Sequence, residues 1–258
     1  MEFGVCTSVD NAPAVKAAGW DYVEDSVQSL LQGLTPDADW QGLRRVQDAP
    51  LPVPTCNLLV PASLKITGPD ASPPQLRAYL DTVLRRAAQC RIEILVFGSG
   101  GARQIPDGFD RNTARNQLLD FLRTAGELAA RHNVTVVIEP LNRKECNVLN
   151  TVEECAGYVR QTGLPHVQCL VDSFHFWENA EPLDTLAAAM PHIHHVHVAN
   201  RTTRTAPSMD GSDYQAFFRV LKQAGYNRRI SVEAVDFDLS AGASRPLTFL
   251  KARWATAT

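Results

Sequence analysis

Eight short apolar runs of strand character, each followed by room for a helix, predict an α/β fold for this 258-residue chain: a closed (β/α)8 TIM barrel. Two further observations favour it. The first run leads into CTSVDNAP, not into the glycine fingerprint that opens a doubly wound sheet. No linker or low-complexity segment divides the chain, so residues 1–258 are read as a single barrel domain. With 45% hydrophobic residues, such a domain has ample material for its core.

The runs are Glu2–Cys6, Asp21–Glu24, Val53–Leu59, Glu93–Phe97, Val134–Ile138, Val167–Val171, His194–Ala199 and Ile230–Val232. They start about 19 to 41 residues apart, the span of a strand, a helix and two loops. Helical periodicity lies between them. Ala78–Gln89 and Asn116–His132 repeat apolar residues at three- and four-residue steps, with charges opposite. Thr151–Gln161 opens with a T-x-x-E capping box, Thr151 to Glu154. Asp213–Gly225 begins at an acidic cap and stops at glycine. Leu183–Met190 and Pro246–Ala255 are further candidates.

Composition narrows the function. A formal net charge of −3 does not suit a nucleic-acid surface, and the apolar runs are too short to span a bilayer, so neither nucleic acid nor membrane is an expected partner. MEFGVCTSVD has no basic region and no signal-type apolar core, so a cytoplasmic protein is expected. The six cysteines form no C-x-x-C pair and sit among apolar neighbours, which predicts buried free thiols.

Chemistry in such a barrel belongs where strands end. Strand five ends at Glu139, strand six at Asp172, strand seven near His197 and strand eight at Glu233. The steps of 33, 25 and 36 residues each match one βα unit. One such acid alone reads as a helix cap. Four converging groups, three of them carboxylates, repel unless a cation or shared proton holds them. The set suits one divalent ion: Mn²⁺ first, with Mg²⁺, Co²⁺ or Zn²⁺ as alternatives. In HIHHVHV, His195 and His197 share a face and His194 takes the other. His197, nearer the mouth, is the expected ligand, and His195 a deeper core residue. The loops beyond these strand ends carry Asn142, Arg143, Glu145, His175, Arg201, Arg204 and Asp210, some of which must reach the mouth. FGSGGARQIPDGFD lacks the last glycine of a phosphate loop and leaves Arg103 as a substrate candidate; CNLLVPASLKITGPD offers Asn57 and Lys65.

With these motifs placed, the chain resembles the sugar isomerase/epimerase superfamily of xylose-isomerase-like barrels, among them the ketose 3-epimerases. EPLNRKE is similar to their strand-five motif, DSFH to their D-x-x-H, HVHVANRTTRTAP to their H-x-H with a following arginine and proline, and ISVEAV to their strand-eight glutamate. The resemblance implies metal ligands Glu139, Asp172, His197 and Glu233, with Glu139 and Glu233 also the catalytic acid/base pair. It implies substrate contacts from Glu145, His175 and an arginine, Arg204 or alternatively Arg201. The segment from His197 to Pro207 is one residue longer than the family pattern, Asn200 stands where an acid is common, and Ser208 replaces a usual glycine.

The implied function is a metal-dependent sugar isomerase or epimerase. It would abstract a proton next to the carbonyl of a ketose or related keto-sugar, through a metal-stabilised enediolate, with a small carbohydrate as partner and a homo-oligomer as its implied assembly. Alternatives are a lyase or dehydratase acting on inososes or keto-glycosides, a non-catalytic sugar-binding barrel, and an abasic-site endonuclease. The last is disfavoured, because the first histidine is His132 and no D-x-H follows His197.

Overall fold

A computed structural model describes residues 1–208, 212–239 and 243–258. Eight parallel strands close into a barrel in chain order: β1 (Glu2–Cys6), β2 (Tyr22–Ser26), β3 (Thr55–Asn57), β4 (Ile94–Phe97), β5 (Thr135–Ile138), β6 (Val167–Asp172), β7 (Ile193–Val198) and β8 (Arg229–Val232). Pairing of Glu2 with Arg229 and Val5 with Val232 joins the last strand to the first. The helices are α1 (Ala12–Ala17), α2 (Gly42–Asp48), α3 (Pro73–Gln89), α4 (Gly100–Arg103), α5 (Arg111–His132), α6 (Val152–Thr162), α7 (Ser173–Glu178), α8 (Leu183–Ala189), α9 (Tyr214–Gln223) and α10 (Ser244–Thr256). Among the described residues, no helix is long and apolar enough to cross a membrane. All six cysteines are free, and all but Cys6 are buried.

Every expected strand is present, the first with the expected bounds and the others with shifted edges. The third is cut from Val53–Leu59 to Thr55–Asn57. Pro52 and Pro54 have no N–H to give, although their carbonyls accept from Val23 and Ile94, and Leu58 leaves the extended region at φ 54°. The long helices start earlier than their apolar spacing suggests. Prolines open α3, and Asp110 caps α5 by accepting from the Thr113 N–H at 2.8 Å. Periodicity shows only where apolar residues recur, and each of these first turns carries a single buried one, Leu76 and Ala114. The Thr151 cap forms, accepting from the Glu154 N–H, but Glu154 accepts in return from Asn150 and not from Thr151 itself. The short α1 and α2 and the turns Val27–Leu31 and Asp37–Asp39 carry no periodic signal and were not anticipated.

The interior has two chemically distinct halves. Ile94, Val96, Val137 and Leu170, from β4 to β6, form an apolar cluster separate from the main core. Across from them, Tyr22, Glu24, Thr55, His195, His197 and Ser231 are buried and joined by hydrogen bonds. Small residues make this half possible. His197 pairs in register with Ser231, Ser231 with Gly4, and Gly4 with Tyr22. Ser231 and Gly4 leave the axis open for side chains from β2 to cross towards β7. The register between β6 and β7 shifts after Cys169, so that His194 has no opposite residue, Leu170 meets His195, and Asp172 meets His197. The shift sets the strand-seven imidazole level with the strand-six carboxylate.

At Gly4, an added Cβ would lie 2.3 Å from the Tyr22 ring, a buried group with nowhere to move. Gly4→Ala should therefore cost about 1–3 kcal/mol of stability, read as a lower midpoint in chemical denaturation.

Candidate metal and substrate site

Four strand ends deliver the expected cluster. One ligand atom from each of Glu139, Asp172, His197 and Glu233 lies within 4.8 Å of all the others. Each is set by local structure. Glu139 follows β5 and continues its pairing, its N–H donating to the Phe97 carbonyl at 3.2 Å. Asp172 ends β6 and is also the cap of α7. Its Oδ1 accepts from the N–H groups of Phe174 and His175, at 2.6 and 3.2 Å, which leaves Oδ2 for the site. The cap and the site residue, alternatives in the sequence, are one side chain using two oxygens. Glu233 follows β8, its N–H donating to the Val198 carbonyl.

The atoms facing inward are short of partners. Glu139 Oε1, Asp172 Oδ2 and His197 Nδ1 are buried without a hydrogen bond, and His197 Nδ1 lies 3.3 Å from Glu139 Oε1 and 3.6 Å from Glu233 Oε2. A buried polar atom left unpaired costs about 1–3 kcal/mol, and here three such atoms lie in a group of residues that could hold a cation. The residues present fit a divalent ion: three carboxylates and one imidazole, with unpaired lone pairs turned inward. Electrostatics agree. Burial and then the neighbouring Glu233 push the Glu139 carboxyl upward, and the same two causes raise Asp172 to about 6. Burial would raise Glu233 too, but the His197 imidazole and the Arg204 guanidinium hold it down, at about 2. The cluster carries more negative charge than its own cations neutralise.

The expected substrate groups border this cluster. Arg204 donates to Glu233 Oε2 at 2.8 Å and to Glu145 Oε1 at 3.3 Å, and its guanidinium lies 5.1 Å from the centre of the Phe174 ring. Arg201 is exposed. The loop sets the two apart in space. Asn200 Oδ1 accepts from the N–H groups of Thr202 and Thr203, and Arg204 takes a left-handed φ of 55°, turning its side chain to the mouth. His175 is fully buried, and its Nδ1 accepts from the Asn142 backbone N–H at 3.1 Å. A backbone N–H only donates, so in the neutral ring the proton sits on Nε2. Asn142 also donates to Glu145 Oε1 at 2.8 Å. Asn57 reaches Glu233 Oε1 at 3.4 Å, the contribution of an early strand.

Other loop candidates lie elsewhere. Arg103 is no substrate contact. It is fully buried and donates to the carbonyls of Phe97, Glu139 and Leu149, tying the ends of β4 and β5 together. Lys65 binds the Gly101 carbonyl at the surface, Lys144 pairs with Glu178, and Arg143 reaches Asn150. Asp210 lies outside the described residues. His195 is a core residue, donating from Nε2 to Glu24 at 2.7 Å.

Two residues escaped the sequence reading. Glu24 is fully buried beneath the cluster and accepts from both His195 and His197. Its signal is in the sequence, because it ends the second run in DYVEDS. Gly98, just past β4, matters for what it lacks: a Cβ there would lie 2.2 Å from Glu139 Oε2.

The chain belongs to the Xylose isomerase-like TIM barrel family, whose model matches residues 12–253. It is 32% identical over 123 residues to 3-dehydro-D-guloside 4-epimerase of Escherichia coli, a match covering 46% of this chain and 45% of that protein. It is 26% identical over 230 residues to L-ribulose-5-phosphate 3-epimerase of Shigella flexneri, covering 82% and 76%. The chain thus spans about half the length of several curated relatives it matches. Among solved structures, a D-psicose 3-epimerase with D-tagatose from Clostridium cellulolyticum superposes with a TM-score of 0.84 at 16% identity, over 98% of this chain and 99% of that one. That likeness is one of fold.

The Gly98 contact yields a test. Gly98→Ala meets only the tip of a side chain, so stability should hold to within about 1 kcal/mol. The Glu139 carboxylate should be displaced, which a crystal structure of the variant would show as a changed side-chain rotamer at 139.

Proposed function

We propose that this chain is a metal-dependent sugar epimerase or isomerase, acting on a ketose or keto-sugar by proton transfer at the carbon next to the carbonyl. The observation that carries this reading is the convergence of three unpartnered buried atoms, Glu139 Oε1, Asp172 Oδ2 and His197 Nδ1, beside Glu233. These four residues would hold the ion, for which the hard oxygen-rich set favours Mn²⁺. When bound, such an ion supplies Lewis acidity that stabilises negative charge developing on the substrate carbonyl oxygen.

The protein's own groups would do the rest. Glu139 and Glu233 come from strands separated by two others, so they approach the site from different sides. One carboxylate takes the proton from carbon and the other, protonated, returns one. Return to the opposite face inverts the carbon, and return to the neighbouring carbon isomerises the sugar. His175, its Nδ1 occupied by Asn142 and its Nε2 3.4 Å from Arg204 Nη2, would turn Nε2–H to a substrate oxygen once Arg204 moves to the substrate. Arg204 would donate to substrate hydroxyls, and the half-exposed Glu145 would accept from them. Family membership supports this reading, as do relatives named as sugar epimerases. The match to a 3-dehydro-guloside epimerase favours keto-glycosides as a second substrate class.

Solvent deuterium tests the reading. With Mn²⁺ and a panel of ketoses and keto-glycosides, the wild-type protein should wash label into the carbon next to the carbonyl. Glu139→Gln and Glu233→Gln should each lower that exchange by about 100-fold or more. Wild-type exchange in either variant would overturn the assignment, and loss of water or an aglycone would redirect it to a lyase. Arg204→Ala should raise KM about tenfold and also lower kcat, because Glu233 loses its partner.

A further inference from the structure

Glu24 takes no part in the cluster's inward-facing atoms, yet it is the most heavily hydrogen-bonded carboxylate beneath them. Its Oε1 accepts from His197 Nε2 at 2.8 Å. Its Oε2 accepts from His195 Nε2 at 2.7 Å, Thr55 Oγ1 at 2.8 Å and Ser231 Oγ at 2.6 Å. Tyr22 closes the network with its hydroxyl 2.7 Å from Ser231 Oγ. Glu24, Thr55, Ser231 and both histidines are fully buried.

Burying a carboxylate in a barrel axis is costly unless every lone pair is met. A carboxylate met by four donors, below a site rather than in it, needs a purpose other than packing. The opposite half of the same interior is filled by Ile94, Val96, Val137 and Leu170. Apolar side chains therefore suffice to pack this barrel.

We propose that Glu24 is the positioning residue for the metal-ligating histidine: by accepting the Nε2 proton of His197, it fixes the ring so that Nδ1 is the atom offered to a divalent ion. The inference rests on the metal-site reading above. The chemistry is simple. A neutral imidazole carries one proton, and a carboxylate can only accept. With Glu24 Oε1 at Nε2, the bare lone pair must be on Nδ1, which points at Glu139 and Glu233. The carboxylate also raises the ligand's basicity, as outer partners of metal-bound histidines do. The three donors on Oε2 hold Glu24 itself in place, so the orientation of one ring is set by side chains from β2, β3, β7 and β8 together. His195 is thus a second anchor of the same carboxylate, which gives the otherwise idle strand-seven histidine a role.

Zinc, being diamagnetic, allows a direct reading. In zinc-loaded wild-type protein labelled with ¹⁵N-histidine, His197 should show metal-bound Nδ1 and a protonated Nε2. The Nε2 proton should be slow to exchange and shifted downfield by the charged acceptor. Coordination through Nε2 would overturn the proposal without any variant. By calorimetry, Glu24→Gln should bind Zn²⁺ 10–100-fold more weakly and lose the downfield signal. An unchanged affinity and unchanged signal in a folded Glu24→Gln would also overturn it. No zinc uptake by the wild type would instead overturn the metal-site reading itself, so the two failures are distinct.

Discussion

Repulsion between carboxylates is the constraint around which this molecule is arranged. Closure of eight parallel strands brings Glu139, Asp172 and Glu233 together at one end of the barrel, and two of the three are almost fully buried. Burial first, and then the like charge of Glu233 a few ångströms away, push the Glu139 and Asp172 carboxyls upward. The protein answers with donors at two of the acids: Arg204 on Glu233, and the start of α7 on Asp172. The remaining unpaired atoms all turn towards the same point.

The division of the barrel interior follows from that constraint. A half lined by aliphatic side chains can pack but cannot orient an imidazole. The half built from β7, β8 and β1 to β3 gives up large apolar residues, with serine at 231 and glycine at 4, and gains a path for Glu24 to reach across the axis. Polar networks of this kind are stabilising only when fully satisfied. Here the carboxylate oxygens are, while Nδ1 of both histidines is left without a partner. For His197 that atom faces the cluster.

The loops show how a charged residue acquires its task from its backbone. Arg103 and Arg204 are both arginines in βα loops. Arg103 sits in a helical turn and is drawn under the strand ends, where its donors meet three carbonyls. Arg204 sits at a left-handed residue that turns it over the mouth. Guanidinium geometry suits both tasks, since one planar group can satisfy several acceptors at once.

By itself, the sequence determined the eight strands, the long helices between them, and the four strand-end groups Glu139, Asp172, His197 and Glu233. Strand apolarity, helical spacing and strand-end position are local properties, readable without knowing what lies across the barrel. Its resemblance to a known family also pointed to Glu145, His175 and Arg204. What only the tertiary structure decided were relations between distant segments. Arg204 was separated from Arg201 by a backbone angle, and Arg103 was removed from the mouth by its burial. Glu24 was linked to histidines 171 and 173 positions away. Gly98 was found to matter because a carboxylate occupies the space a side chain would fill. Hydrogen bonds and steric exclusion act over a few ångströms, and only the closed barrel sets which residues fall within that range.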